Sequence, residues 1–397
     1  MALHQQSVYS PFPPPPRLLI FPYIRYSVPM LNIAFTGGGT GGHIYPGLAV
    51  IEKLKALPEG QNCRIFWIGS HSGMDQSIVA GARLEFFGIP AGKLRRYFTL
   101  KTIPDTFKVA AGFFAARRIL KKQQVNLLFS KGGFVSVPPC AAAASLGIPV
   151  FTHESDMSPG LATRLNLRFV RRTGGRVFVS YADTTRFMPA ALKDRVTVSG
   201  NPVRPVFRHA DPAKGRAFLK LGAQERILLV LGGSQGAREV NALVRDSLGE
   251  LCRHYTVVHQ YGPEQQFDAP NVERYIPLPY INDEMPHVLA AAELVVGRSG
   301  AGTVWESAAL GKPMILIPLC GSGTRGDQVE NARFFEREGA ALVVPGGDGL
   351  ASAVNAIADD PARRAAMAEA AHRIGCLDGA AIIGNAITEV MNEYGGH

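Results

Sequence analysis

Leu31-Asn32-Ile33-Ala34-Phe35-Thr36 runs straight into Gly37-Gly38-Gly39-Thr40-Gly41-Gly42-His43, and a helix follows from about Pro46. The second half repeats this plan. Arg226-Ile227-Leu228-Leu229-Val230-Leu231 leads into Gly232-Gly233-Ser234-Gln235-Gly236-Ala237 and then a helix carrying Val240, Leu243, Val244 and Leu248. Short apolar runs bounded by turn residues are the mark of buried strands, and a glycine cluster directly after one opens a βαβ unit. Further strands are expected at 63–68, 126–129, 149–152, 176–179 and 195–199 in the first half. In the second they fall near 255–259, 274–276, 294–297, 314–317 and 341–344. Strands alternating with helices mean parallel sheets joined by right-handed crossovers. Two such series in tandem make an α/β chain of two Rossmann-like domains facing one another across a cleft. The turn Gly200-Asn201-Pro202 divides them into 30–200 and 201–375. The Ala-rich tail is helical, and its last stretch, 376–397, is a candidate to pack back on the first domain.

Composition supports two cores. The chain has 397 residues, 46% of them hydrophobic and 19% charged, which excludes a disordered chain. Lys plus Arg outnumber Asp plus Glu by 42 to 32, a formal +10 that suits an anionic partner. No basic block with interleaved aromatics occurs, so nucleic acid is not expected. The five cysteines (Cys63, Cys140, Cys252, Cys320, Cys376) are odd in number, far apart and without a C-x-x-C pair. Neither a zinc site nor a disulfide framework is indicated, and a reducing cytosol is the simplest compartment. No apolar run approaches the roughly 20 residues of a spanning helix. Residues 1–29, with Pro13-Pro14-Pro15-Pro16, lack a signal-cleavage region, and Met30 directly precedes the first strand. They read as a disordered or non-native extension, with an aromatic membrane-touching leader as the alternative.

A glycine-rich loop between a strand's carboxyl end and a helix's amino end lets backbone approach a ligand and aims free N–H groups at an anion. Two facing loops of this kind can cradle a diphosphate and a second phosphate-bearing molecule. Gly37-x-Gly39-x-x-Gly42 matches the dinucleotide fingerprint, but no acidic residue closes a second strand about 20 residues on, where a ribose partner belongs. Arg298-Ser299-Gly300-Ala301-Gly302-Thr303-Val304-Trp305-Glu306 follows another strand and opens a helix expected over Thr303 to Leu310. Glu306, expected in its first turn, either accepts hydrogen bonds from vicinal ribose hydroxyls or balances the helix dipole.

These stretches, with Pro46-Gly47, His153-Glu154-Ser155-Asp156, Gly200-Asn201-Pro202-Val203-Arg204, Asp327-Gln328 and Asn331-Ala332, resemble the MurG family of glycosyltransferases (family 28). These are bacterial enzymes that add N-acetylglucosamine to lipid I to give lipid II in peptidoglycan synthesis. The likeness runs in order from about residue 31 to about 390. It implies the glycosyltransferase B architecture, with the nucleotide donor mainly in the second domain and the acceptor in the first. By the family's pattern Glu306 holds the ribose hydroxyls, Ser234 and Arg204 lie near the diphosphate, and the Ile281 backbone meets the uracil edge. Ala301, Gly302, Thr303 and Gln328 hold the N-acetylglucosamine, while Thr40, Gly41 and Gly42 line the cleft from the other domain. Asp156 stands where many members carry Asn, Asp327 where some carry Gln, and Trp305 where some carry a small residue.

The implied reaction is inverting displacement at the anomeric carbon of UDP-N-acetylglucosamine by the 4-hydroxyl of the muramoyl sugar of lipid I, undecaprenyl-pyrophosphoryl-MurNAc-peptide. It needs a base and a stabilised leaving group. His43 is the candidate base, with phosphate binding or helix capping as its other roles, and Asp156 or Glu154 as substitutes. No Asp-x-Asp occurs in the chain, so neither a metal nor another cofactor is expected. A lipid acceptor calls for peripheral attachment to the cytoplasmic face of the bacterial inner membrane. Ile103, Phe107, Phe113 and Phe114, with Arg117 and Arg118 beside them, could meet an anionic membrane surface, or form the ordinary face of an amphipathic helix. The rivals are an epimerase or another UDP-sugar transferase of this architecture, a non-catalytic nucleotide-sugar binder and an NAD-dependent oxidoreductase.

Overall fold

The computed structural model describes residues 31–71, 73–92, 102–233, 235–321 and 326–395, with the backbone alone at 102–104 and 391–395. The extension 1–29, Ser234 and the side chain of Ile103 lie outside the described residues.

The first sheet holds β1 (Leu31–Thr36), β2 (Cys63–Ser70), β3 (Glu85–Ile89), β4 (Leu127–Ser130), β5 (Val150–Glu154), β6 (Val177–Val179) and β7 (Val196–Val198). Its order is β3-β2-β1-β4-β5-β6-β7, with all neighbouring strands parallel. The second holds β8 (Ile227–Leu231), β9 (Thr256–Gln260), β10 (Tyr275–Leu278), β11 (Leu294–Gly297), β12 (Met314–Leu316) and β13 (Ala341–Val343). Its order, β10-β9-β8-β11-β12-β13, repeats the first arrangement. The edge strand β3, Glu85-Phe86-Phe87-Gly88-Ile89, is an addition to the sequence reading. It opens on a charge and carries a glycine, and only Ile89 is buried, so it lacks the apolar run that marks the others.

In both sheets the order reverses beside the first strand, between β1 and β4 and between β8 and β11. Open α/β sheets bind ligands outside the carboxyl ends of the strands at such a switch point. The glycine loops follow β1 and β8, so each is delivered to its domain's crevice.

Period-two alternation distributes β1 between two layers. Leu31, Ile33 and Phe35 face the helix Tyr45–Ala56, whereas Ala34 faces the layer containing the helices Thr102–Lys122, Val137–Ser145 and Leu161–Thr173. The C-terminal helix, Gly379–Gly395, packs on the core of the first domain. Its Ala380, Ile383, Ala386 and Ile387 join the core beside Val50 and Leu54, and Lys53 Nζ pairs with Asp378 Oδ2 at 2.9 Å. Full burial of Ile383 and Ile387 stabilises this return by about 1.5–3 kcal/mol each.

Candidate active site

The first glycine loop is shaped by buried partners on three sides. Asp75, fully buried, accepts from Gly39 N at 2.9 Å through Oδ1 and from Ser70 N at 3.0 Å through Oδ2. A Cβ on Gly38 would lie 2.0 Å from the same Oδ2, and one on Gly39 (φ +86°) 2.6 Å from the Phe134 ring. Trp67 Nε1 donates to Gly37 O at 3.0 Å. With its base held in this way, the loop presents Thr40 and Gly42 to solvent.

His43 closes this loop, and its N–H donates to Thr40 O at 3.1 Å. Its imidazole rests on the loop that follows β4, the strand paired with β1 on the far side of the switch point. A Cβ on Gly133 would lie 2.9 Å from His43 Cδ2, and one on Gly132 3.9 Å from Nδ1. The candidate base therefore sits on a floor of glycines and is partly exposed.

Beneath it lies Lys131, which is 1% exposed. Its ammonium donates to Ser155 Oγ at 2.6 Å, and Ser155 Oγ donates to Asn201 Oδ1 at 2.7 Å. Burial pulls the Lys131 pKa down to about 8, and the neighbouring Glu154 and Asp156 carboxylates oppose that fall. His153 Nε2 meets Gly200 O at 3.1 Å, so β5 and Ser155 just beyond it are each tied to the interdomain turn. Burial, then the Lys131 charge, hold the His153 imidazole well below its usual pKa.

Glu154 is not placed to act as a base. One carboxylate oxygen accepts from Asp156 N at 3.0 Å and the other from Gly160 N at 3.2 Å, so it orders its own loop. Asp156 Oδ1 accepts from Asn331 Nδ2 at 3.2 Å, across the domain boundary. Asn331 also accepts from Met157 N at 3.1 Å and donates to Ser299 O at 3.2 Å, so this buried amide knots the domains together.

In the second domain, Gly236 (φ +74°) lets the loop after β8 lie flat on β9, since a Cβ there would be 2.0 Å from Tyr261 O. Gln260, buried at the end of β9, accepts from Ile281 N at 2.9 Å and donates to Gly233 O at 3.5 Å. Of the Ile281 backbone groups the N–H is thus already engaged, which leaves the carbonyl as the one open to a base. Arg298 pairs with Glu239 and donates to Ile317 O at 3.1 Å, which makes it a brace between elements.

The helix expected from Thr303 begins at Ala301, because Gly300 (φ −64°, ψ 140°) is still extended. Glu306 therefore stands in the second turn, not the first. There the dipole, whose effect fades within one turn, gives it little to balance. No side chain caps this helix, so Ala301, Gly302 and Thr303 carry its amino-terminal N–H groups toward the crevice. The Trp305 side chain packs 5.5 Å from Tyr181 of the first domain and serves the core. Among the described residues no donor hydrogen-bonds the Glu306 carboxylate, and none accepts from Arg204 Nε, which is buried. Burial pushes the Glu306 pKa up to about 7, and Arg204 opposes the rise. A half-buried carboxylate and an unsatisfied guanidinium in one crevice are groups arranged for a ligand. Gln328 Oε1 accepts from Leu319 N at 3.0 Å, and Ser299 Oγ donates to Gln328 O at 2.7 Å.

On the helix Thr102–Lys122, Phe107 and Phe114 are 73% and 69% exposed, with Arg117 and Arg118 exposed beside them. Phe113, by contrast, is half-buried. It flanks the buried face through Gly112, Ala116 and Leu120 and packs on that core. Sequence reasoning missed Arg164, Arg168, Arg171 and Arg172, all exposed on the helix Leu161–Thr173 in the same layer. It also missed Asp75, Lys131 and Gln260, whose partners are distant along the chain.

Residues 33–174 match the glycosyltransferase family 28 N-terminal domain and residues 227–381 the family 28 C-terminal domain. A Treponema denticola protein is 50% identical, over 80% of this chain and 85% of its own length. It is named UDP-N-acetylglucosamine–N-acetylmuramyl-(pentapeptide) pyrophosphoryl-undecaprenol N-acetylglucosamine transferase. A Bacillus anthracis protein of that name, numbered 2, is 40% identical over 79% of this chain and 87% of its own. The crystal structure of Acinetobacter baumannii MurG superposes with a TM-score of 0.66 at 24% identity, covering 90% of this chain and 99% of that one. The calicheamicin glycosyltransferase CalG4 does so with 0.64 at 15% identity, covering 91% and 98%. The architecture is therefore the two-domain glycosyltransferase B fold. With both halves of the family matched in order and a relative identical at half its aligned positions, the chain belongs to glycosyltransferase family 28.

Proposed function

We propose that this chain transfers N-acetylglucosamine from UDP-N-acetylglucosamine to the 4-hydroxyl of the muramoyl sugar of lipid I, forming lipid II. The observation that carries this reading at the site is the nearness of the Arg204 charge to a Glu306 carboxylate that no donor bonds, in a crevice that also receives the His43 loop. Named relatives at 50% and 40% identity supply the substrates.

Glu306 accepts hydrogen bonds from both ribose hydroxyls, and the Ile281 carbonyl meets the uracil. Arg204 and the glycine loop after β8, Ser234 included, receive the diphosphate. The N–H groups of Ala301 to Thr303 and the Gln328 carboxamide N–H2 orient the sugar, while Thr40, Gly41 and Gly42 close the cleft from the acceptor side. His43 takes the proton of the attacking hydroxyl as the new O–C1 bond forms. The bond from C1 to the phosphate oxygen breaks, and UDP leaves with its electron pair toward Arg204. Configuration inverts from α to β. Asp156, with one oxygen committed to Asn331, is the secondary candidate for base. Charge on the leaving group is met by Arg204 and helix amino ends, which supports a reaction independent of metal.

The lipid acceptor brings the enzyme to the cytoplasmic face of the plasma membrane as a peripheral protein. Exposed Phe107 and Phe114, with Arg117, Arg118 and the arginines of the helix Leu161–Thr173, form an apolar and basic surface suited to anionic lipid. Among the described residues no helix is long and apolar enough to cross a membrane.

The test is UDP release from UDP-N-acetylglucosamine with and without a lipid I analogue, in excess EDTA, for wild type, Arg204→Ala and His43→Ala. Acceptor-dependent release that survives EDTA and falls in both variants is expected. UDP binding without acceptor-dependent turnover would leave the donor site standing and sink the lipid I assignment.

A further inference from the structure

We propose that Tyr45, a residue of the acceptor-binding domain, is a positioning residue for the donor diphosphate, because its ring holds the Arg204 guanidinium in place. The proposal rests on the reading of Arg204 as a diphosphate ligand. Arg204 belongs to the interdomain segment and precedes the short helix Pro205–Arg208. Its guanidinium carbon lies 5.0 Å from the centroid of the Tyr45 ring and 5.0 Å from that of Phe207. Among the described residues no carboxylate forms an ion pair with it, and its buried Nε has no hydrogen-bond partner. Aromatic rings therefore set its direction where most buried arginines are held by acids.

Rings covering a guanidinium leave its in-plane N–H groups available, and those are the groups that fork onto phosphate oxygens. Tyr45 is itself seated. It is the first residue of the helix Tyr45–Ala56, with Pro46 fixing that turn, and its ring edge rests on the first glycine loop. A Cβ on Gly41 would be 3.1 Å from Tyr45 Cε2 and 3.2 Å from Cδ2. One ring thus touches the acceptor-side loop and the donor-side arginine. Arg204 is aimed correctly only when the domains stand at the spacing that brings Tyr45 to it. No hydrogen bond from the Tyr45 hydroxyl is seen among the described residues, so the ring face is the working part.

The experiment is calorimetric binding of UDP and of uridine to wild type, Tyr45→Phe, Tyr45→Leu and Arg204→Ala, with KM and kcat measured alongside. Tyr45→Leu is expected to weaken UDP about 10-fold and leave uridine, which has no phosphate, unchanged. The KM for UDP-N-acetylglucosamine should rise by a similar factor, and Tyr45→Phe should restore binding to within about twofold. Adding Tyr45→Leu to Arg204→Ala should cost nothing further, since the two act through one group. Wild-type UDP affinity in Tyr45→Leu, with a loss in Arg204→Ala, overturns the proposal and keeps the donor site. An equal loss of UDP and uridine overturns it as well, by showing general damage. Unchanged UDP binding in Arg204→Ala refutes the donor-site reading beneath it.

Discussion

Replacing Glu306 by glutamine separates the burden this carboxylate places on the fold from its service to the ligand. Burial raises its pKa from 4.5 to about 7, and of the charges facing it only Arg204 opposes the rise. Tyr280 faces it too, but burial raises that phenol and keeps it neutral over this range. Between pH 4.5 and 7 the folded protein holds a proton that the unfolded chain has released, so stability falls as pH rises through that window. Above pH 7 the full shift acts against folding. At 1.36 kcal/mol per pH unit it amounts to about 3 kcal/mol, and to about 1–2 kcal/mol once water access to a partly exposed carboxylate is counted. Glutamine has the same shape and no charge to desolvate. The apo Glu306→Gln protein should therefore melt roughly 2–6 °C above wild type at pH 8, and the gap should close toward pH 4.5. In the same variant UDP binding should weaken at least about 10-fold, because the amide offers one uncharged accepting oxygen where the carboxylate offers two charged ones. Wild-type UDP affinity should climb with pH up to about 7 and then level off. Thermal melts across pH, paired with UDP calorimetry, read both effects. A variant that melts at or below wild type at pH 8, or a gap that widens toward acid, would refute the reasoning.

Other perturbations follow from the same geometry. Gly133→Ala strains a backbone at φ +76° and drives a methyl toward Gly38 O and the His43 ring, so kcat should fall about 100-fold with donor KM little changed. A wild-type kcat would show that the ring's seat is irrelevant to turnover. Gln260→Leu leaves the Ile281 N–H without its acceptor and frees the glycine loop, and donor KM should rise about 10-fold. Steady-state kinetics on Gln260→Glu, which retains the acceptor, should show a higher KM attributable to charge beside the diphosphate. Phe107→Ser with Phe114→Ser should lower partition onto anionic vesicles about 10- to 100-fold, while turnover with a soluble acceptor analogue stays intact. Sedimentation with vesicles would settle this, and unchanged binding would point to the arginines alone.

The architecture was legible because its signals are local. β1 and β8 are apolar runs ended by glycines, and the two series of strands count out two domains without reference to contacts. The edge strand β3 escaped because its apolar run is short, opening on Glu85 and broken by Gly88 after Phe86 and Phe87. The helix Ala301–Ala309 starts two residues earlier than expected, since small residues such as Ala301 and Gly302 carry no periodic signal. Phe113 and Phe114 are adjacent in sequence and alike in chemistry. Only the phase of the helix, fixed by what packs on Ala116 and Leu120, separates core from surface.

The site divides on the same principle. Residues that a ligand would touch stand in or beside the glycine loops and could be named from sequence. Residues that shape those loops could not, because Asp75 reaches Gly39 from another turn and Gln260 reaches Ile281 through the fold. This alters the meaning of His153-Glu154-Ser155-Asp156, a run whose polar side chains look catalytic. His153 binds Gly200, Ser155 joins Lys131 to Asn201, Glu154 orders its own loop, and Asp156 bonds Asn331. Most of that run holds the two domains at a fixed spacing. In the proposed reaction this leaves His43 as the first candidate for base, and the spacing matters because the Arg204 guanidinium lies 5.0 Å from the ring of Tyr45, a residue of His43's own domain.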